Sequence, residues 1–414
     1  MELPTPKRSI LYQQLLMVLA FAIPWAKKAI PTIIAICFIV SIVQCIRHKK
    51  TFRPARLLGV AGLLSLFMLL IAGTLYTSHP AEGWNEIGIK LSFLIFPVFS
   101  IFLPNFGKTE IDKLQQSFLA GCFLFISITL VRAGINAFQH QHLYYLTYDQ
   151  LSWYMHPTYA AAYEVFALFI LVEQMLKKKY IAKSAVLHTC LCLLVLFFIG
   201  LLSSKAGYLS FVLLVGFSFI RSFHWKFPAL RSAFIAFSSL LLFALIIVVL
   251  PTSAGRIEKA VEDIRAEEKN TSPTDSLPVK GQTSSTRLRT VTWGASWTLL
   301  AEHAFGTGTG DTQPELNTLY LQRGETYAAE RQLNAHNQYL QTGAELGWFG
   351  ICALLACLSS LWYARKIEIS SLFFGALCAL NFLFESMLEV QAGIVFFCFW
   401  VIVYSKLTTH SKHS

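Results

Sequence analysis

Long apolar runs separated by short polar segments make up most of this chain, and they determine the elements that it predicts. A helix that crosses a lipid bilayer needs about 20 mostly apolar residues. Such runs predict about twelve spans, near residues 10–25, 29–46, 57–77, 86–104, 114–136, 157–176, 184–202, 206–221, 231–250, 339–363, 369–386 and 390–406. Pro24 and Pro31 also fit a single re-entrant hairpin in place of the first two spans. The pattern predicts an all-α, polytopic membrane protein.

One long polar interval, residues 251–338, interrupts the apolar pattern. It separates N-terminal transmembrane helices in residues 1–250 from C-terminal transmembrane helices and a tail in residues 339–414. The interval predicts a charged surface helix, a linker rich in Ser, Thr and Pro, an amphipathic helix with tryptophans, and a helix that leads directly into the next span. These four segments are residues 256–269, 270–285, 292–303 and 327–341. The interval is predicted to be a long loop that contains short helices and carries the functional site.

The composition excludes a soluble protein. Hydrophobic residues make up 55% of the chain, charged residues make up 14%, and the mean hydropathy is +0.54. A soluble domain needs more polar surface than that. The formal net charge of +11 would indicate nucleic acid in a soluble protein, but most cations of this chain lie in short loops between apolar spans. Loop cations of this kind orient a protein in a bilayer, so we exclude nucleic acid as a partner.

The distribution of Lys and Arg among the short loops predicts which side of the membrane each loop faces. On one side, the short loops carry only Lys27, Lys28 and Lys205. The short loops and tail on the other side carry Arg47, Lys49, Lys50, Arg53, Arg56, Lys108, Lys113, Lys177, Lys178, Lys179, Lys183, Arg221, Lys226, Arg231, Arg365, Lys366, Lys406 and Lys412. The cation-rich side is cytoplasmic by the positive-inside rule. Both termini are therefore predicted inside, and the polar interval is predicted outside, in the periplasm of a Gram-negative host.

The cysteines and acidic residues give no sign of a disulfide framework or a metal site. All nine cysteines fall inside apolar stretches, and the polar interval contains none. Disulfide frameworks and thiolate metal sites need cysteines in polar, folded segments, and no Asp-rich cluster is present. The sequence therefore predicts neither a bound metal nor a cofactor.

The His-Asn pair at the end of the polar interval is the first candidate for chemistry. His336 lies where the interval enters an apolar span, and a histidine can accept a proton from an alcohol near neutral pH. Position alone also fits an interfacial histidine that only forms hydrogen bonds. Asn337 fits either a substrate-orienting role or a helix cap, and spacing does not decide between them.

Three cations near the predicted outer surface are candidates for binding an anionic substrate. Arg287 and Arg289 carry planar guanidinium groups that match phosphate oxygens, and Lys205 lies in a very short turn between two spans. A charge at a membrane edge is costly unless it is used. We therefore predict that these residues bind an anion.

Other charged residues near or inside apolar spans have structural alternatives. Lys90 and Arg132 are predicted to extend to the membrane surface along their helices. Four carboxylates, which are Glu164, Glu173, Glu385 and Glu389, indicate either a proton path or contacts between helices. The FGTGTGD turn at residues 305–311 lacks the strand and the GKS/T sequence of a phosphate-binding loop, so flexibility suffices to explain its glycines.

Several of these segments together resemble the O-antigen ligases and the related O-antigen polymerases. The resemblance consists of the arginine ahead of Trp293, the FGTGTGD turn and the segment HNQYLQTGAELGWFG. Its specific part covers Ser203–Gly207 and Thr286–Gly350, while the hydrophobic architecture is similar over nearly the whole chain. The family usually has an arginine where this chain has Lys205, which keeps the charge but loses the two-pronged geometry.

The resemblance implies a metal-independent, inverting glycosyltransferase of the bacterial inner membrane. It implies that His336 is the general base. It also implies that the undecaprenyl pyrophosphate leaving group is neutralised by Lys205 and by Arg289, with Arg287 as the competing candidate. Asn337 would belong to the same site. The donor would be a glycan on undecaprenyl pyrophosphate and the acceptor lipid A-core. A polymerase of the same superfamily would use a growing glycan as acceptor instead. A membrane transporter is the alternative from another class, and a repeated pair of broken helices would favour it.

Overall fold

The computed structural model describes residues 6–47, 57–177, 182–224, 285–362 and 368–407. These residues form sixteen α-helices and two short 3-10 helices, at Leu143–Leu146 and Met387–Glu389, with no strand among them. In chain order the α-helices are Pro6–Ala22 (α1), Ile30–Arg47 (α2), Leu57–Gly73 (α3), Pro80–Ile89 (α4), Ser92–Phe102 (α5), Lys108–His140 (α6), Tyr148–Leu151 (α7), Pro157–Lys177 (α8), Ala182–Leu202 (α9), Lys205–His224 (α10), Ser285–Glu302 (α11), Thr312–Gln322 (α12), Thr326–Glu330 (α13), Gln338–Ser360 (α14), Ile369–Phe382 (α15) and Gln391–Ser405 (α16). The all-α prediction is confirmed.

Helices occupy every predicted span that falls within the described residues. By length and apolar composition, α6 and α14 can each cross a membrane, and α4 with α5 forms a third span if this pair, bent by 43°, is counted as one. The number of spans and the placement of the polar interval in the periplasm remain predictions. The predicted span 231–250 and the predicted segment 256–269 lie outside the described residues, as does all of 270–285 except Ser285.

Tightly packed aromatic rings join four of the long helices. Trp400 of α16 lies with its ring centroid 5.6 Å from that of Phe118 of α6 and 5.1 Å from that of Phe166 of α8. Phe374 of α15 and Phe396 of α16 are 5.2 Å apart. Close packing of this kind drives helix association in lipid, because apolar side chains gain nothing there by leaving water. A separate, smaller core forms between α11, α12, α13 and the start of α14.

Helix α14 is interrupted at Gly347, and the glycine-rich turn at residues 305–311 donates hydrogen bonds to carbonyls beside the interruption. Gly347 has a φ of 66°, so the helical hydrogen bonds break around it. Thr307 and Gly308 donate backbone N–H bonds of 2.8 and 3.1 Å to the carbonyls of Ala344 and Glu345. Backbone groups freed within a membrane-spanning helix need such partners. Gly306 and Gly308 have φ values of 81° and 100°. Glycine adopts such backbone conformations without steric cost, so backbone geometry explains these two glycines better than flexibility does.

The same turn ends in a carboxylate that holds the connection between α3 and α4. Asp311 accepts hydrogen bonds from Thr77 Oγ1 at 2.8 Å, from the backbone N–H groups of Ser78 and His79, and from His79 Nδ1 at 2.7 Å. We call this set of four residues the Asp311 clasp. Because α4 begins immediately afterwards at Pro80, the clasp fixes the start of that helix.

Both ionisable groups of the Asp311 clasp have shifted pKa values. Partial burial raises the pKa of the Asp311 carboxyl, but the hydrogen bonds from Ser78, His79 and Thr77 outweigh that effect, and the net pKa lies below its ordinary value of 3.8. The hydrogen bond to Asp311 raises the pKa of the His79 imidazole above its ordinary value of 6.5. Each shift favours the charged form of its group.

The clasp is therefore expected to be strongest between pH 3.8 and pH 6.5. The Asp311 contribution is present above 3.8 and is lost as the pH falls through the lowered pKa, while the His79 contribution is present below 6.5 and is lost as the pH rises through the raised pKa. Hydrogen exchange of the backbone amides of residues 77–79, corrected for intrinsic rates, measures the strength of the clasp. His79→Gln is expected to remove the loss of protection above pH 6.5. Protection that increases steadily from pH 6 to pH 9 in the unaltered protein would contradict this expectation.

The predicted helix over residues 327–341 is wrong. Helix α13 ends at Glu330, residues 331–337 are irregular, and α14 starts afresh at Gln338. Gln332 and His336 both have left-handed backbones, with φ values of 48° and 45°. A helix cannot continue through such residues. The His-Asn pair therefore lies in a loop that ends on a helix cap.

Candidate functional site

His336 is held by its backbone and left with its side chain partly open. Its N–H donates to Asn334 Oδ1 at 3.0 Å, and its carbonyl accepts from Trp293 Nε1 at 3.5 Å. Asn337 follows with an extended backbone and caps α14, because its side chain accepts from the Leu340 N–H at 3.1 Å. The imidazole itself is 30% exposed. The segment thus presents a fixed histidine at the N-terminal end of α14.

The partner of this histidine is Glu385, in the connection between α15 and α16. Nδ1 of His336 lies 3.1 Å from Oε1 of Glu385, whose side chain is only 7% exposed. The neighbouring Ser386 reinforces the contact, since its hydroxyl accepts from the Asn337 N–H at 3.2 Å. The span predicted at 369–386 extends too far, because α15 ends at Phe382. The chain leaves helical geometry after Phe382, and that puts Glu385 in a connection that faces His336.

The surroundings of Glu385 keep it ionised. Burial raises the pKa of the Glu385 carboxyl, but the hydrogen bond and charge of His336 and the charges of His156 and Arg289 outweigh burial, and the net pKa lies below its ordinary value. An ionised carboxylate only accepts hydrogen bonds. Nδ1 of His336 therefore donates to Glu385, and Nε2 is the ring nitrogen that this contact leaves for a substrate.

The two candidate arginines lie on different faces of α11. Residues two apart on a helix do not face each other. Arg287 is 44% exposed and its Nη2 lies 3.5 Å from Oε1 of Glu325. Arg289 acts electrostatically on Glu385, and its Nε is shielded from solvent without a hydrogen-bond partner. Of the two, Arg289 is the arginine that the structure brings to the His336 site.

A chain of contacts connects the turn that carries Lys205 to the same region. It begins α10 directly after Ser203, whose φ is 48°, and Ser204. The Ser204 hydroxyl lies 3.3 Å from that of Thr158 at the start of α8. One residue further, Tyr159 donates its hydroxyl to the Ser386 carbonyl at 3.4 Å. The turn of Lys205 is therefore packed on the element that contacts the Glu385 connection.

A buried charge cluster lies behind the site. Lys90, at the bend between α4 and α5, is 3% exposed, and its Nζ lies 2.7 Å from Glu345, 2.8 Å from Glu389 and 3.4 Å from Glu86. We call these four residues the Lys90 cluster. The prediction that Lys90 extends to the membrane surface is wrong, because three carboxylates surround it inside the protein. Arg132, by contrast, lies with its guanidinium 4.4 Å from the Trp153 ring centroid.

Gln338 connects the Lys90 cluster to the histidine loop. Its amide nitrogen donates to Glu389 Oε1 at 3.1 Å, and its Oε1 accepts from the Leu388 N–H at 2.6 Å. Two of the four carboxylates noted in the sequence, Glu385 and Glu389, thus belong to this network, whereas Glu164 and Glu173 are buried in α8.

One comparison with known proteins finds a similarity that covers part of the chain. A family model described as O-antigen ligase matches residues 190–355. This segment is therefore similar to the O-antigen ligases, in line with the resemblance that the sequence motifs carry. The segment covers about two fifths of the chain, and no curated protein matches the chain.

The matched O-antigen ligase segment contains every site residue that the sequence predicts. Lys205, Arg287, Arg289, His336 and Asn337 all lie within it. Gln338 and Glu345, which join the network around the site, lie within the segment as well. Glu385, Glu389 and Lys90, which the sequence did not connect with the histidine, lie outside it. Folding brings these residues close to the matched segment. In the sequence, only their position within apolar runs distinguished them.

Proposed function

We propose that the protein is an O-antigen ligase, which transfers a glycan from undecaprenyl pyrophosphate to lipid A-core at the periplasmic face of the inner membrane. The O-antigen ligase match supports the general class. The observation that carries the specific chemistry is the contact between His336 Nδ1 and the buried Glu385, at 3.1 Å. A histidine whose Nδ1–H is bound to a carboxylate is oriented to accept a proton on Nε2.

In the proposed reaction, Nε2 of His336 removes the proton from an acceptor hydroxyl as the oxygen attacks the anomeric carbon. The bond from that carbon to undecaprenyl pyrophosphate breaks, and the leaving group departs as an anion. Glu385 stabilises the positive charge that develops on the imidazole, and Arg289 and Lys205 neutralise the pyrophosphate. Asn337 acts by capping α14 and so by fixing the histidine loop.

Glu385 is the carboxylate that lies beside His336. Glu385 contacts Nδ1 of the ring and not Nε2, the nitrogen that would act on the acceptor. In this position Glu385 can support the base, and it is not placed to attack a sugar. We therefore propose direct attack with inversion, and without a divalent metal. NMR of the new glycosidic linkage, compared with the donor linkage, tests the inversion, and transfer in the presence of a chelator tests the metal independence.

Arg289→Ala is expected to lower transfer by about 100-fold, a typical loss for removal of one group that stabilises a developing anion. Arg289→Lys should retain more activity, because the charge remains while the paired donors are lost. Arg287→Ala is the matched control and should have a smaller effect, because Arg287 pairs with Glu325. Initial rates on purified proteins make this comparison. Near-normal rates for both alanine variants would exclude the arginines and leave Lys205.

Electrophoresis of lipopolysaccharide after deletion of the gene separates ligase from polymerase. Loss of a ligase leaves lipid-linked polymer in the cell and a bare core. Loss of a polymerase leaves core with a single repeat unit. An intact ladder would exclude both activities.

One structural observation favours the alternative class, a transporter. The bend at Lys90 and the break at Gly347 are two interrupted helices whose charged groups meet, and transporters build binding sites at such breaks. Lys90 is, however, enclosed by its three carboxylates and 3% exposed. Glycan transfer by the purified protein in detergent, where no gradient exists, would show that the protein is an enzyme and not a transporter.

The topology prediction is tested with cysteine labelling in a background without native cysteines. A cysteine at Ser276 is expected to react with an impermeant maleimide once the outer membrane is permeabilised, and one at Ser411 is not, because loop charges place both termini inside. Both residues lie outside the described residues. The opposite labelling pattern would contradict the topology and the periplasmic site together.

A further inference from the structure

The connection between α6 and α8 lies on the same side of the protein as His336. Tyr159, at the start of α8, donates its hydroxyl to the Ser386 carbonyl at 3.4 Å, next to Glu385. His156, at the end of the connection, acts electrostatically on Glu385. The connection therefore leads from the protein surface directly to the candidate site, and neither the family match nor the sequence assigns it a role.

Three rings form a continuous row along this path. Tyr148 and His156 lie with their ring centroids 6.5 Å apart, and His156 and Tyr159 with theirs 5.9 Å apart. We call these three residues the aromatic row. Tyr148 is half-buried, His156 is exposed, and Tyr159 is 7% exposed. The row is therefore open to solvent at His156, and its Tyr159 end contacts the connection that holds Glu385.

The chemistry of these rings fits a sugar better than a lipid chain. A pyranose ring has faces of C–H groups, which pack against aromatic rings, and hydroxyls at its edge, which bind phenol and imidazole groups. An isoprenoid chain has no hydroxyls to use such groups. The backbone adds a second observation, because Tyr148 has a φ of 50°. A bulky residue rarely adopts that conformation, and such strain is concentrated at ligand-binding sites.

We propose that the aromatic row is a sugar-binding subsite that holds one pyranose ring beside His336. This inference rests on the proposed function for the identity of the ligand, a glycan, and adds the surface that binds it. The pyranose belongs either to the lipid-linked donor or to the acceptor, and both have the chemistry that the row recognises.

The test compares Tyr148→Asn with a matched Tyr144→Asn control. Asparagine tolerates a left-handed backbone, so Tyr148→Asn removes the ring without adding strain. Tyr144 is in the same connection and 45% exposed, but its ring contacts His142 and Tyr145 and not the aromatic row. If tyrosines of this connection only anchor the protein at the membrane interface, both variants will behave alike.

The measurement is binding of oligosaccharide, released by mild acid from the polyprenyl-linked intermediates of the expressing cells, to purified protein by saturation-transfer NMR. Tyr148→Asn is expected to raise the dissociation constant about 2- to 10-fold, as loss of one aromatic contact does. Tyr148→Phe and Tyr144→Asn should stay within 2-fold of the unaltered protein. Equal binding by Tyr148→Asn, or equal weakening by Tyr144→Asn, would overturn the proposal. His156→Gln provides a second variant of the row if Tyr148→Asn does not fold.

Kinetics then identify the source of the sugar. A raised KM for the lipid-linked glycan assigns the row to the donor, and a raised KM for the acceptor assigns it to the acceptor, with kcat unchanged in either case. A lowered kcat with both KM values unchanged would overturn the subsite. The proposed function fails separately, if the unaltered protein binds the oligosaccharide through the row but transfers no glycan.

Discussion

Replacement of His336 by alanine is expected to lower the rate of glycan transfer by about 100- to 10,000-fold, the range that loss of a general base typically causes. The imidazole is 30% exposed and bound through Nδ1 to Glu385, so it is both reachable by a substrate and fixed in orientation. Raising the pH should not restore the rate, because the lost element is a positioned proton acceptor rather than bulk basicity. Initial rates on purified, correctly folded protein are the measurement.

Two further variants separate this role from a structural one. His336 has a φ of 45°, which asparagine tolerates better than alanine does. His336→Asn should therefore fold normally and still be inactive. His303, an exposed histidine just after α11, is the matched control, and His303→Ala should transfer glycan within about 2-fold of the unaltered protein, as surface substitutions usually do. Transfer by His336→Ala within a few-fold of normal would show that His336 is only an interfacial histidine.

Glu385→Gln tests the pair itself. The amide keeps the size of the side chain but removes the charge that stabilises a protonated imidazole. The expected loss is smaller than that of His336→Ala, and it should appear in kcat rather than in KM. An unchanged kcat would remove Glu385 from the mechanism and leave His336 without its proposed support.

The helices were predictable because long apolar runs report burial in lipid directly, and α8 at Pro157–Lys177 lies within a residue of its predicted span. His336 and Arg289 also stood out as candidates in the sequence, because they lie in the one long polar interval of an otherwise apolar chain, and their roles stay predictions. The relative importance of the two arginines was not predictable. Arg287 and Arg289 are equivalent in composition, and only the direction of each side chain on a folded helix separates them.

The contacts that complete the site depend on packing between distant segments. Glu385 lies 49 residues beyond His336, and Glu345 lies 255 residues beyond Lys90. A lysine in an apolar run has the same pattern whether it extends to the membrane surface or is enclosed by carboxylates. The loop at residues 331–337 was missed for a local reason, because it contains neither Gly nor Pro and turns through left-handed Gln332 and His336.

Lys90→Met is expected to destabilise the protein by about 3 to 5 kcal/mol, the usual cost of removing one partner from a buried ion pair. Methionine fills similar space, so the loss reflects charge. Glu345 and Glu389 would remain close together inside the protein without the ammonium group that lies 2.7 and 2.8 Å from them. Thermal unfolding in detergent measures the change. Transfer activity should fall as well, because Glu389 and Gln338 hold the connection that carries Glu385.

A control variant and a second substitution test whether the lost charge of Lys90 causes the loss of stability. Lys28 is exposed, and Lys28→Met should change stability by less than about 0.5 kcal/mol. Adding Glu345→Gln to Lys90→Met removes one of the stranded carboxylates, so the double variant should be more stable than Lys90→Met alone. If Lys90→Met unfolds at the same temperature as Lys28→Met, the Lys90 cluster does not hold α4, α14 and the Glu385 connection together. The position of His336 would then depend on the Asn337 cap, the Ser386 contact and the local contacts of His336 with Asn334, Trp293 and Glu385.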